Sequence, residues 1–415
     1  AGWEEAYATA RGKYVANSLL LLKTEATLAD KAVARGDHGC LPAAAASLPA
    51  QLPHPAIDLF YALLIMLNGE SNILRSLVES PEVRRQILTS LSVPAVEYTA
   101  AVGEQVLKSY KARAAFHHFP LYALWGCIEQ LRPQFLVFWG KQSPLLDEFA
   151  LLQAQVRQMT KTALDSLPQV VDVTAAKPVR DDGNVSQITS MVTSFVRRLE
   201  GFAQVVCELL PEVHKAPAGK HPLATFTTSV LGDLKRSLEQ QGKAEKNAIL
   251  GSVFLMNNLH HVLKTVRSVP YLADCMAASI PSFEKAIDAN LAVYRTTWNP
   301  LIEMLVDKHG HGKGKDEAKV RASMKVKVQA FNAAVEDIYS EQQQYHVPDK
   351  ELKKKITSDI CLSLMPIYEN FVERWEAAMA KKQKYEHLLK YSPSTLAKMI
   401  DRLFDGASGR ASPRS

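Results

Sequence analysis

Along most of this chain apolar residues return every third or fourth position, the spacing of a helix with one buried face. From Asp349 they fall at Leu352, Ile356, Ile360, Leu364, Ile367, Phe371, Trp375 and Met379. Asp349, just after Pro348, is placed to accept from the first free backbone amides, which predicts the helix start there. Pro366 interrupts the stripe and predicts a kink, because it removes a backbone donor and crowds the preceding turn. A second stripe, Met324, Val328, Phe331, Val335, Ile338 and Tyr339, predicts a helix over 320–339. The same period predicts helices near 3–22, 56–78, 93–112, 145–167, 185–210, 223–240, 244–266 and 282–306. Alternating β-branched runs between turn residues are essentially absent. The expected fold class is all-α, and long helices with short, irregular joints suggest an elongated rod of stacked helical bundles.

Gly, Pro and small residues gather at 36–55, 174–184, 211–222 and 309–315, where the helical period breaks. The loop HGHGKGK (309–315) is expected to be mobile and basic. No fixed repeat of 30 to 45 residues runs through the chain, which gives the common helical-repeat families little support. With 415 residues, 47% of them hydrophobic and 22% charged, the chain can bury a large core but is too long for a single one. Five cysteines (Cys40, Cys127, Cys207, Cys275, Cys361) stand singly, which reads as buried thiols in a reducing compartment. In such a compartment the acceptor pattern Asn184-Val-Ser186 has no use. No signal peptide is visible, and no apolar run approaches the roughly 18 residues of a membrane span. LFYALLIML (59–67) is half that length and follows Asp58, so it is expected to be a core helix. The chain starts at Ala1 without a methionine, which leaves a fragment of a longer protein open.

The net charge of +6 is small, and its placement says more than its size. Residues 1–200 are neutral overall, so the whole surplus lies in the second half. Lys308, Lys313, Lys315, Lys319, Arg321, Lys325 and Lys327 face only Asp316 and Glu317 in sequence. Lys381, Lys382, Lys384, Lys390 and Lys398 face only Glu386.

Catalytic signatures are missing, and the chain is not expected to be an enzyme, to use a cofactor or to hold a metal. HGHGKGK lacks the GxxxxGK[ST] spacing and the preceding strand of a phosphate-binding loop. His117-His118 and His260-His261 are adjacent pairs that point to different sides of a helix and cannot share a metal. His38 and Cys40 have no second His/Cys pair to complete a zinc site. Asn257-Asn258 in VFLMNNLHHVL are two amides in an apolar run, and buried amides need partners. They either fix a neighbouring turn or helix end, or take part in recognition.

SVLGDLKRSLEQQGKAEKNAILGSVFLMNNLHHVLKTV (229–266) resembles the segment of the seventy-kilodalton exocyst subunit family in which a leucine-rich helix precedes a Phe-x-x-Asn-Asn helix. VKVQAFNAAVEDIYSEQQQYHVPDKELKKKITSDICLSLMPIYENFVERW (326–375) is similar to that family's next segment, a Phe-Asn helix, a Val-Pro-Asp turn and a helix with Pro-x-Tyr-x-x-Phe. LLKYSPSTLAKMIDRLFDG (388–406) resembles its terminal lysine-tyrosine motif and last helix. The resemblance runs from about 109 to 405. Two departures stand out: Tyr345 where members usually carry Trp, and His387 in place of the first basic residue of the terminal motif. With the joints, it divides the chain into an N-terminal helical region (1–108), a middle bundle (109–215), a further bundle (216–308), a C-terminal basic bundle (309–406) and a disordered tail (407–415).

The resemblance implies an exocyst subunit that tethers secretory vesicles to the plasma membrane. It implies a C-terminal end that binds phosphatidylinositol 4,5-bisphosphate, contacts with other exocyst subunits and a Rho-type small GTPase, and a cytoplasmic protein recruited peripherally to the inner leaflet. The expected lipid-binding residues are Lys381, Lys382, Lys384, His387, Lys390, Lys398 and Arg402, extended by Lys325 and Lys327. In the last helix Leu396, Met399, Ile400, Leu403 and Phe404 share one face, with Ser392 and Pro393 as the start and Gly406 as the stop. That face either enters a bilayer as an interfacial helix or docks on the preceding helix and closes the bundle. Two other readings stay open: a helical scaffold with merely solvated lysines, and a nucleic-acid-binding helical protein. The second is disfavoured because the clusters are lysine without interleaved aromatics, so no nucleic acid is expected among the partners.

Overall fold

The stripes fold as read: the computed structural model is helical throughout its regular elements, and it describes residues 2–34, 55–175, 177–210, 219–306, 317–379 and 387–404. The helices are α1 (Gly2–Ala34), α2 (Pro55–Leu77), α3 (Pro81–Tyr110), α4 (Phe119–Trp139), α5 (Pro144–Asp165), α6 (Leu167–Ala175), α7 (Gln187–Leu199), α8 (Ala203–Leu209), α9 (Ala224–Ala244), α10 (Ala248–Ser268), α11 (Pro270–Met276), α12 (Ile280–Arg295), α13 (Asn299–Leu305), α14 (Glu317–Gln342), α15 (Lys350–Met379) and α16 (Pro393–Asp401). The loop at 309–315 and the tail at 407–415 lie outside the described residues.

Two compact units share the chain, Ala1–Val170 with Ser194–Val230, and Val171–Thr193 with Leu231–Ser415. In the first, α1 to α5 bury Val15, Leu19, Phe60, Leu63, Leu67, Leu91, Val96, Leu131, Phe135 and Phe149. Gly12 lets α1 and α3 approach closely: a Cβ there would sit 2.8 Å from the Leu91 carbonyl oxygen. By length and average composition α2 could cross a membrane. Yet Leu59, Phe60, Leu63, Leu64 and Leu67 pack in the core. The same helix carries the buried Glu70, which accepts from Tyr7 (3.0 Å) and Arg11 (2.9 Å) on α1. It is the expected core helix.

Of the adjacent histidines, His117 is exposed and His118 is buried. The His118 Nε2–H donates to the Arg113 carbonyl at 2.9 Å, its ring stands edge-on to Tyr110, and burial pushes its pKa below the ordinary 6.5. A histidine held neutral costs stability when the unfolded chain can charge and the folded one cannot. Stability is therefore complete above about pH 6.5 and falls as pH drops below it toward the lowered folded value. We expect protection of the α4 amides from hydrogen exchange to decrease as the pH is lowered from about 7.5 to 5.5. The drop should vanish in His118→Asn. An unchanged slope in that variant would contradict this account.

In the second unit the predicted stripe of α15 is buried at Leu352, Ile356, Ile360, Leu364, Phe371, Trp375 and Met379, with Tyr368 joining it and Ile367 half-buried. Asp349 caps this helix, its Oδ1 accepting from the Leu352 amide at 3.0 Å. The helix runs on through Pro366 without ending. On α14, Met324, Val328, Phe331 and Val335 are buried, and Phe331 stacks on Tyr368 with ring centroids 4.8 Å apart. Tyr345 has a local reason for its hydroxyl. It donates to Glu341 at 2.8 Å and accepts from Asn247, the cap of α10, at 3.1 Å.

Asn257 and Asn258 fix turns. The Asn258 Oδ1 accepts from the Ser186 amide (2.8 Å) and the Thr189 hydroxyl (2.7 Å), so it fixes the turn before α7 from another helix, while the Ser186 Oγ accepts from the Thr189 amide at 3.2 Å. The Asn257 Nδ2 donates to the carbonyls of Gly183 and His346, both at 2.8 Å. Gly183 has φ +64°, a left-handed value that suits the turn.

Candidate functional site

The last described helix is short and needs help to form. The Ser392 Oγ accepts from the Thr395 amide at 3.2 Å and Pro393 occupies the first helical position, as the sequence predicts. Leu396, Ile400, Leu403 and Phe404 are all buried, so the apolar face closes the bundle and is not left for a bilayer. The preceding segment is strapped down before the helix starts. Asn332 on α14 donates to the Leu388 carbonyl at 2.8 Å, and the Tyr368 hydroxyl on α15 donates to the Tyr391 carbonyl at 2.6 Å.

This docking fixes which way the basic side chains face. Lys398 on α16 and Arg402 just after its end are exposed, as is His387. Lys390 is half-exposed and pairs with Glu336 on α14 at 2.8 Å. The Tyr391 hydroxyl donates to the same carboxylate oxygen at 2.9 Å. The hydrogen bonds from Lys390 and then Tyr391 hold the Glu336 carboxyl below its usual range. Burial, with the Glu336 carboxylate second, pushes the Tyr391 phenol up to about 12. Lys325 and Lys327 are half-buried on α14 and engaged with other groups of the chain. They stand eleven and nine residues before Glu336, roughly 17 and 14 Å along the axis, and do not adjoin Lys390. Lys381, Lys382 and Lys384 lie outside the described residues.

Glu336 and Tyr391 belong to this site and sequence reasoning missed both. A tyrosine beside Lys390 was visible; its acidic partner lies fifty-five residues away in a stretch of near-balanced charge.

Among the described residues, His260, Asp349 and Glu351 bring metal-ligating atoms within 4.8 Å of one another. Its geometry is that of a clamp between α10 and α15. Asp349 is already bound by Lys264 Nζ at 2.6 Å and by the first amides of α15. Against the upward pull of burial, the bond from Lys264 and then that of the Leu352 amide hold its carboxyl at about 2. An ammonium and a helix N-terminus both oppose a cation there. His261, on the other side of α10, faces the Thr193 hydroxyl at 3.3 Å, so the two histidines diverge as expected.

Residues 56–402 match the family described as the C-terminal region of the Exo70 exocyst complex subunit. Exocyst complex component EXO70A3 of Arabidopsis thaliana is 23% identical over 303 residues, 71% of this chain and 51% of that protein. Exocyst complex component 7 of Homo sapiens is 21% identical over 343 residues, 78% of this chain and 46% of the human protein. A crystal structure of the S. cerevisiae exocyst component Exo70p is similar over 86% of this chain and 72% of its own, at 19% identity and a TM-score of 0.46. The chain spans about half the length of these two sequence relatives. The family match runs from the second residue of α2 through all of α16, with the Asn-Asn helix and the strapped terminal segment between them: the chain belongs to the family defined by the C-terminal region of the Exo70 exocyst complex subunit.

Proposed function

We propose that this chain serves in an exocyst complex, tethering secretory vesicles by holding anionic phosphoinositides of the plasma membrane's inner leaflet with its C-terminal end. In this reading its other surfaces meet further exocyst subunits and a Rho-type small GTPase. The observation that carries the lipid assignment is the outward face of α16. The apolar side of that helix is used in the bundle, which leaves Lys398 and Arg402 exposed, as His387 and Lys390 are in the segment leading into it. Each basic side chain near an anionic leaflet contributes on the order of 1 kcal/mol, so a cluster holds where a single lysine does not. Family membership supports the same reading from the side of the whole complex.

Reversing Lys398 and Arg402 to Glu tests it. Both are exposed, so helicity and melting temperature should stay near wild type. Flotation with phosphatidylcholine vesicles carrying phosphatidylinositol 4,5-bisphosphate should weaken by about tenfold or more, and rising salt should weaken the wild type in parallel. Binding equal to wild type in the double reversal would leave these residues as solvated surface and sink the assignment. Reversing Lys390 is a poorer test, since it would set two carboxylates against each other at Glu336.

A further inference from the structure

We propose that Glu336 is an internal competitor for the lipid: its carboxylate occupies Lys390 and Tyr391 in the free chain, and a headgroup phosphate must displace it. This rests on the membrane reading above and adds to it a residue that sets affinity. Two donors, an ammonium at 2.8 Å and a phenol at 2.9 Å, converge on one carboxylate oxygen. A phosphate oxygen takes the same donors, and with more charge than a carboxylate it draws them more strongly.

The donors are positioned independently of Glu336. Asn332 holds the Leu388 carbonyl, and Tyr368 holds that of Tyr391, so the backbone under both donors stays in place when the carboxylate lets go. Lys390 and Glu336 keep 54% and 46% of their side-chain surface in solvent. An incoming headgroup can therefore reach the pair without opening the bundle. Exposed pairs of this kind add little to folding, so exchanging the carboxylate for a phosphate sacrifices little stability. Lys398 on α16 and Arg402 at its end, both exposed, supply attraction at longer range; Glu336 decides whether Lys390 joins them.

The test is a double-mutant cycle on the full chain, read by flotation with phosphatidylcholine vesicles containing phosphatidylinositol 4,5-bisphosphate. Glu336→Gln keeps an acceptor for both donors while removing the charge, and Asp337→Asn, the next position on α14, makes the same charge change outside the pair. Glu336→Gln should bind about threefold more tightly than wild type, and Asp337→Asn should gain clearly less. In a Lys390→Gln background the gain from Glu336→Gln should shrink to that of Asp337→Asn. Soluble inositol trisphosphate should compete, and vesicles of phosphatidylcholine alone should float none of the variants. Equal gains for Glu336→Gln and Asp337→Asn, or a full gain without Lys390, overturns the inference while wild-type binding leaves the membrane reading intact. Wild type and Glu336→Gln both failing on these vesicles overturns the two together.

Discussion

Replacing Asn258 with alanine is expected to destabilise the turn at Ser186 and the start of α7 by about 3 kcal/mol, since buried donors left without acceptors cost about 1–3 kcal/mol each. The side chain is fully buried, and its amide is used on both sides. Its oxygen accepts from the Ser186 amide and the Thr189 hydroxyl; its nitrogen donates to the Phe254 carbonyl at 2.7 Å. Alanine would leave the Ser186 amide and the Thr189 hydroxyl, the two donors at the start of α7, without their acceptor. The effect should be local first. Hydrogen exchange at Ser186 and Thr189 should accelerate by about a hundredfold, with α15 little changed at the same temperature. Acceleration below about tenfold would mean that water or Ser186 itself takes over, and that Asn258 is not what holds this turn. Asn257→Ala should be milder, because its oxygen makes no bond that would be lost and only two carbonyls lose a donor.

These two residues also mark how far the sequence could be read. Two amides in VFLMNNLHHVL cannot be left unpaired in a core, so their need for partners was legible. Their partners were not, because Ser186 and Thr189 lie about seventy residues away and nothing in the local pattern names them. The stripes of α14 and α15 were legible for the opposite reason: a helix with one wet face carries its burial in its own period. α4 was not. It buries Phe119, Leu121, Tyr122, Leu124, Trp125, Ile128 and Leu131 around much of its circumference, so its apolar positions lose the period, and Pro120 and Pro133 read as breaks. α3 starts twelve residues before the predicted position, because Pro94 sits inside it and reads as a boundary. The capping of α16 by Ser392 was written in three adjacent residues and needed no distant partner. In the terminal site, the charges could be read but the pairing of Lys390 with Glu336 could not, since charge runs do not say which neighbour another helix will bring.

Phe404 holds α16 to the rest of its unit, and its backbone gives an unusual test of that role. The side chain is 1% exposed, its ring centroid lies 5.7 Å from that of Tyr294, and its carbonyl accepts from the Val347 amide at 3.3 Å. Yet φ is +70°, a left-handed value that a residue with a Cβ adopts only at a cost of about 1–2 kcal/mol. Burial of the ring must exceed that strain. Phe404→Ala should lose about 3–5 kcal/mol by removing the ring while keeping the strain. Phe404→Gly loses the same ring but relieves the left-handed backbone, so it should be the more stable of the two by about 1 kcal/mol. That order is the reverse of the one expected inside a helix, where glycine is worse than alanine. Hydrogen exchange across Leu396–Leu403 reads it directly: both variants should exchange faster than wild type, with alanine the faster. If glycine exchanges faster than alanine, the segment leaves the left-handed conformation once the ring is gone. The strain would then be a consequence of docking and not something the ring must hold against. With α16 released, Lys398 and Arg402 lose their fixed direction, so vesicle binding should fall in the same order, alanine below glycine and both below wild type.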